Sequence, residues 1–96
     1  MNIRFYIDPD TGLPHVYDHN VTEDDVRDVL YNAGEDRQGR NGSRVALGQT
    51  STGRYLRVIY VPDPVPNSVF VITAYDLTGK ALAAYKRRYN KKGGHS

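Results

Sequence analysis

Three strand-length segments, each closed by residues that cannot continue a ladder, constrain this chain most. The segment Ser43–Thr50 ends at Ser51-Thr52-Gly53, where Gly53 suits the positive φ of a short hairpin turn. The next segment, Arg54–Val61, stops at Pro62, Pro64 and Pro66, since proline supplies no amide to a central ladder. The third, Ser68–Tyr75, contains Val69-Phe70-Val71-Ile72, which is apolar on both faces and predicts a central position in the sheet. Two short connections in succession describe an antiparallel meander.

The N-terminal part adds a strand and a helix. Asn2–Ile7 reads as a short strand that stops at Asp8-Pro9-Asp10-Thr11-Gly12. That stretch resembles a calcium loop only superficially, because Gly12 and His19 fill positions where such a loop needs oxygen ligands. The segment 22–33 is a well-specified helix. Thr22 is the N-cap, Asp25 completes a capping box, and Val21 and Val26 hold the staple positions. Glu23, Asp24 and Asp25 complement the positive end of the helix dipole. Val26, Val29, Leu30 and Ala33 form one apolar stripe, and Gly34 is the expected stop. Polar, glycine-rich Gly34–Gly42 reads as a mobile loop. It either wraps a phosphate backbone through Arg37 and Arg40 or serves as a solvated connection. A last helix over Gly79–Asn90 is capped by Asp76 or Thr78 and packs through Leu82, Tyr85 and Tyr89. The order β-α-β-β-β-α predicts a single α+β domain over residues 1–90 with an antiparallel sheet, followed by a flexible basic tail over 91–96.

Charge is divided along the chain. Residues 1–36 hold nine acids against two bases, and residues 37–96 hold eleven bases against two acids. A basic half of this strength attracts polyanions, of which nucleic acid is the commonest. The alternative is two oppositely charged faces on one domain. The chain has no cysteine, which excludes disulfides, thiolate nucleophiles and Cys-ligated zinc and fits a cytoplasmic setting. The first apolar run is broken at Arg4 and ends at Asp8, too short for a signal peptide or membrane span.

Several elements together resemble a known family. His19-Asn20-Val21-Thr22 opening an acidic helix is similar to a His-Gly-Val-Ser/Thr element. Ala46-Leu47-Gly48-Gln49-Thr50 and Gly53-Arg54-Tyr55-Leu56-Arg57-Val58-Ile59-Tyr60 match the strands that follow it. Val71-Ile72-Thr73-Ala74 and a basic helix with Tyr85 complete the set. In this order they resemble the BrnT toxin family and the related small DUF4258 proteins, over roughly residues 15–90. The resemblance implies a RelE-like fold and a metal-independent endoribonuclease toxin of a type II toxin–antitoxin pair. It also implies a cognate antitoxin, a ribbon-helix-helix or other small DNA-binding protein. Tyr75 stands where the family has Arg, Ala81 where it has an acid, and Asn20 where it has Gly.

Cleavage of RNA by its own 2′-hydroxyl needs a proton acceptor, a proton donor and cations around the phosphate. His19 is the first candidate for proton transfer and His15 the second, each with a structural alternative of packing or capping before the helix. Their spacing of four is a helical metal spacing, but Pro14 argues against a helix there, and no metal or other cofactor is expected. Alternation along the strand sends Arg54 and Arg57 to opposite faces. Arg57 is the candidate for the open face, with a salt bridge to an N-terminal acid as the alternative. Tyr75 donates a proton, stacks on a base, or closes the core edge. Arg54, Lys80, Lys86, Arg87 and Arg88 are the candidate RNA contacts, with the bases of the last helix also complementing its dipole. A non-catalytic RNA- or protein-binding module of the same fold is the second functional reading.

Overall fold

The computed structural model describes residues 1–93, with side chains through Tyr89. Residues 94–96 of the expected tail lie outside the described residues. The chain forms β1 (Asn2–Phe5), a 3-10 turn (His15–His19), α1 (Glu23–Tyr31), β2 (Glu35–Gln38), β3 (Arg44–Gln49), β4 (Tyr55–Pro62), β5 (Ser68–Asp76) and α2 (Gly79–Gly93). The five strands make one sheet in the order β1-β5-β4-β3-β2. This is a small mixed α/β domain.

The meander is present as β3-β4-β5, with both pairings antiparallel. Two features differ from expectation. First, Glu35–Gln38 is a strand within the segment read as a mobile loop, and it pairs antiparallel with β3. Its side chains carry no apolar alternation because its stabilising contacts are polar. Asp36 accepts from Arg44 Nε at 2.8 Å and from the Tyr60 hydroxyl, and Glu35 accepts from Arg88 Nε at 2.6 Å. The loop is confined to the reversal near Asn41 and Gly42, both at positive φ. Second, the sheet is not wholly antiparallel, because β1 lies parallel to β5. Val69-Phe70-Val71-Ile72 is flanked on both sides as expected, although β4 is the middle strand. Ile72 is the extra residue of a bulge between β4 and β5.

α1 packs on one face. Thr22 Oγ1 accepts the Asp25 amide and Asp25 Oδ2 accepts the Thr22 amide, both at 3.1 Å, so the capping box is complete. Val21, Val26 and Val29 are buried against Leu56, Val58, Val71 and Ala74. Each such valine contributes about 1.5–3 kcal/mol relative to exposure. The helix closes at Asn32, two residues before the expected Gly34.

Gly34 has a different task. Tyr85 of α2 is buried against Leu47 and Leu77 on the opposite face of the sheet. A Cβ at Gly34 would sit 2.2 Å from the Tyr85 hydroxyl oxygen and 2.9 Å from Cζ. Only glycine lets the chain pass so close to the ring. Thr78 supplies the first helical carbonyl of α2, to Leu82 N at 3.2 Å, while Asp76, the other candidate cap, is engaged by Arg54.

Gly34→Ala is expected to destabilise the fold by about 1–3 kcal/mol through overpacking. Tyr85→Phe, in the same chain, should recover part of that loss by removing the hydroxyl. Urea unfolding of the single and double variants measures both effects.

Candidate active site

β1 pairs with β5 only as far as Val71, so the later part of β5 is free on that side. The 3-10 turn packs there. The Tyr6 amide donates to Val71 O at 2.8 Å and the His15 amide to Tyr6 O at 2.9 Å, which bring the turn alongside β5. Val16 is buried, and Asn20 closes the turn in the left-handed conformation that asparagine tolerates.

The position of the turn is fixed by Arg54. Its Nε donates to Asp76 Oδ1 at 2.7 Å, its Nη2 to the His19 carbonyl at 3.0 Å, and its Nη1 to the Asn20 carbonyl. Nη1 also lies 3.8 Å from Asp25 Oδ2 in the first turn of α1. One guanidinium thus joins the 3-10 turn, α1 and the end of β5. The bond from Arg54 holds the Asp76 carboxyl below the usual carboxylate range. Arg54, a candidate RNA contact, is therefore committed to internal partners.

Four aromatic or imidazole rings and a guanidinium form a continuous row. Tyr6 meets His15 with ring centres 6.1 Å apart, His15 meets His19 at 5.5 Å, and His19 meets Tyr75 at 5.9 Å, all edge to face. The Arg57 guanidinium carbon is 5.9 Å from the Tyr75 ring centre. Arg57 and Tyr75 are direct cross-strand partners, and Leu47 faces Arg57 from β3. The pair therefore lies on the sheet face that α2 partly covers. The Nε of Arg57 is buried and finds no acceptor among the described residues. A buried guanidinium N–H left unpaired costs free energy until an acceptor reaches it.

The four residues singled out for chemistry, His15, His19, Arg57 and Tyr75, thus sit in one row. The proposed RNA contacts are more dispersed. Arg88 is paired with Glu35. Lys86 Nζ lies 4.9 Å from the Tyr55 ring centre. Lys80 and Arg87 are exposed and make no ion pair among the described residues. Surface cavities of about 260 Å³ (Gly34, Glu35, Arg88, Tyr89) and 250 Å³ (Tyr17, Asn20, Val21, Thr22) contain no residue of the row. Sequence reasoning missed Tyr6 as the end of the row and Asp8 and Asp18 as neighbours of His15. The spacing of His15 and Asp18, one turn apart, was the available signal for the second.

A family model described as a domain of unknown function, DUF4258, matches residues 15–76. The chain belongs to the DUF4258 family. The matched segment begins at His15 and ends at Asp76, so it contains His15, His19, Arg54, Arg57 and Tyr75 and leaves out Tyr6, Asp8 and α2. No curated protein and no solved structure matches the chain. In this DUF4258 protein, no helix among the described residues is long and apolar enough to cross a membrane.

Arg54→Ala is expected to destabilise the fold by about 2–3 kcal/mol, from lost charge-assisted bonds. Lysine should not restore it, because one ammonium does not reproduce the guanidinium fork. The lowered Asp76 carboxyl contributes stability that is present above about pH 4 and lost as pH falls through its folded-state value. Thermal melts from pH 7 to pH 3 should show that contribution in the wild type and its loss in Arg54→Ala.

Proposed function

We propose that this protein is a small endoribonuclease toxin of the BrnT and RelE-like kind, held in check by a cognate antitoxin. The observation that carries the reading is the convergence of His19, Tyr75 and Arg57 at the end of β5. In the proposed reaction the ribose 2′-oxygen attacks phosphorus while its proton passes to the His19 imidazole. The bond from phosphorus to the 5′-oxygen breaks, and that oxygen takes a proton from Tyr75. The products are a 2′,3′-cyclic phosphate and a 5′-hydroxyl end. Arg57, whose guanidinium makes no ion pair among the described residues, stabilises the charge on the phosphoryl oxygens. His15 is the reserve proton carrier, one ring away from His19.

Lys80 and Arg87 supply sequence-independent attraction to the RNA backbone. Lys80 lies in the first turn of α2, five residues after Tyr75. The reading as a non-catalytic RNA-binding module is favoured by Tyr75 and Ala81, which replace an Arg and an acid in the pattern the chain resembles. Cleavage distinguishes the two.

Expression of the chain alone should slow growth and degrade RNA, and co-expression of an antitoxin from the adjacent reading frame should reverse both. His19→Ala and Arg57→Ala should each reduce cleavage by roughly ten- to a thousandfold with unchanged thermal melts. Tyr75→Arg should leave activity equal or higher. RNA binding without cleavage by the wild type would favour the binding module.

Affinity for single-stranded RNA should fall steeply with salt, and Lys80→Glu with Arg87→Glu should reduce the slope of that dependence. These two residues are the clean test, because reversing Arg88 also breaks its pair with Glu35. Absence of any salt-sensitive shift at low ionic strength would count against RNA as the ligand.

A further inference from the structure

The His15 end of the row carries a second convergence. His15 Nδ1 lies 3.5 Å from Asp8 Oδ2 and 3.4 Å from Asp18 Oδ2. The three donor groups all fall within 4.8 Å of one another. A charge-assisted hydrogen bond would draw nitrogen and oxygen to about 2.7–2.9 Å. Donors held tetrahedrally at about 2.0–2.2 Å from a first-row ion are instead about 3.3–3.6 Å apart. The two spacings from His15 Nδ1 fall in the second range. They also leave two carboxylates facing each other across a single imidazole, an arrangement that a cation relieves.

The surroundings orient each donor. Asp8 Oδ1 accepts the Asp10 amide at 2.8 Å, which leaves Oδ2 for the cluster. The turn that carries Asp8 is closed by Gly12, at φ 73°, whose amide donates to the Asp8 carbonyl at 2.8 Å. The His15 ring is held edge-on between Tyr6 and His19, so its Nδ1 is aimed by packing rather than by rotation in solvent. Such supporting contacts to ligating residues are what tune a metal site. Asp18 is the most exposed of the three, so water reaches the remaining coordination positions from its side.

We propose that Asp8, His15 and Asp18 form a binding site for one divalent first-row transition-metal ion. One imidazole nitrogen with two carboxylate oxygens suits zinc or a similar ion, whereas magnesium and calcium take oxygen ligands alone. Asp8 lies before the segment matched by the family model and His15 and Asp18 lie within it, so the N-terminal turn completes the site. Metal binding here does not require RNA cleavage, and with the ion bound His15 no longer serves as the reserve proton carrier. An imidazole whose Nδ1 holds an ion does not pass a proton through that nitrogen, which leaves His19 as the proton carrier of the neighbouring row.

The test is a calorimetric titration of the untagged, full chain with zinc, and separately with magnesium. Zinc is expected to bind at one ion per chain, with no heat from magnesium at the same concentrations. His15→Ala and Asp8→Asn should each weaken zinc binding at least about tenfold. Asp24→Asn, on the acidic face of α1, should leave it unchanged. Manganese broadening of the wild-type amide spectrum provides a reading that needs no variant, and it should centre on residues 8, 15 and 18. Failure of the wild type to bind zinc, unaltered affinity in His15→Ala and Asp8→Asn, or broadening centred on α1 would overturn the proposal.

Discussion

The Arg54 guanidinium is the contact on which the placement of the site depends. The 3-10 turn is five residues long and has no ladder of its own, so it needs an external anchor. Arg54 supplies it by taking the last two carbonyls of the turn and the Asp76 carboxylate at once. His19 leaves the turn at one of those carbonyls, and Tyr75 immediately precedes Asp76 in β5. The same clamp that joins the elements therefore sets the distance between the two rings. Its alignment is possible because a guanidinium presents several donors in one plane.

The sheet divides the molecule into a closed face and a partly open one. On the closed face, α1 and the 3-10 turn bury valines and Leu56 in the larger apolar cluster. On the other, Tyr85 of α2 reaches only the smaller cluster around Leu47 and Leu77. Arg57 and Tyr75 lie on this second face, where a charged side chain costs less than it would beneath α1. Much of the charge division seen along the chain is absorbed between elements rather than displayed. Arg4 pairs with Asp63, Arg44 with Asp36, Arg54 with Asp76 and Asp25, and Arg88 with Glu35. The net charges of the two halves thus overstate the field that a ligand meets, and among the described side chains Arg27, Arg40, Arg57, Lys80, Lys86 and Arg87 are the bases in no ion pair.

What the sequence makes legible follows from periodicity and turn chemistry. The α1 capping box, the Gly53 hairpin and the three meander strands each depend on residues close in sequence, and each is present in the structure. β2 was hidden because its pairing is reinforced by ions and a tyrosine hydroxyl, which leave no alternating apolar pattern. The parallel addition of β1 was hidden for another reason: Asn2 and Ser68 are far apart in the chain, and nothing in Asn2–Phe5 specifies which edge it will join. Arg54 and Arg57 illustrate the same limit at the site. Alternation separates them onto two faces, but only the tertiary contacts show that one is saturated by internal acceptors while the other keeps a buried Nε without one.

The row from Tyr6 to Arg57 has an electrostatic direction. Its Tyr6 and His15 end is next to Asp8 and Asp18, and its Tyr75 end is next to Arg57 and the start of the basic helix. A phosphate is repelled from the first end and attracted to the second. A cation has the opposite preference. His19 stands between the two regions, in ring contact with both His15 and Tyr75. Under the two proposals the anionic substrate meets the Arg57 side and the metal ion the Asp8 side, so that no single pocket holds both.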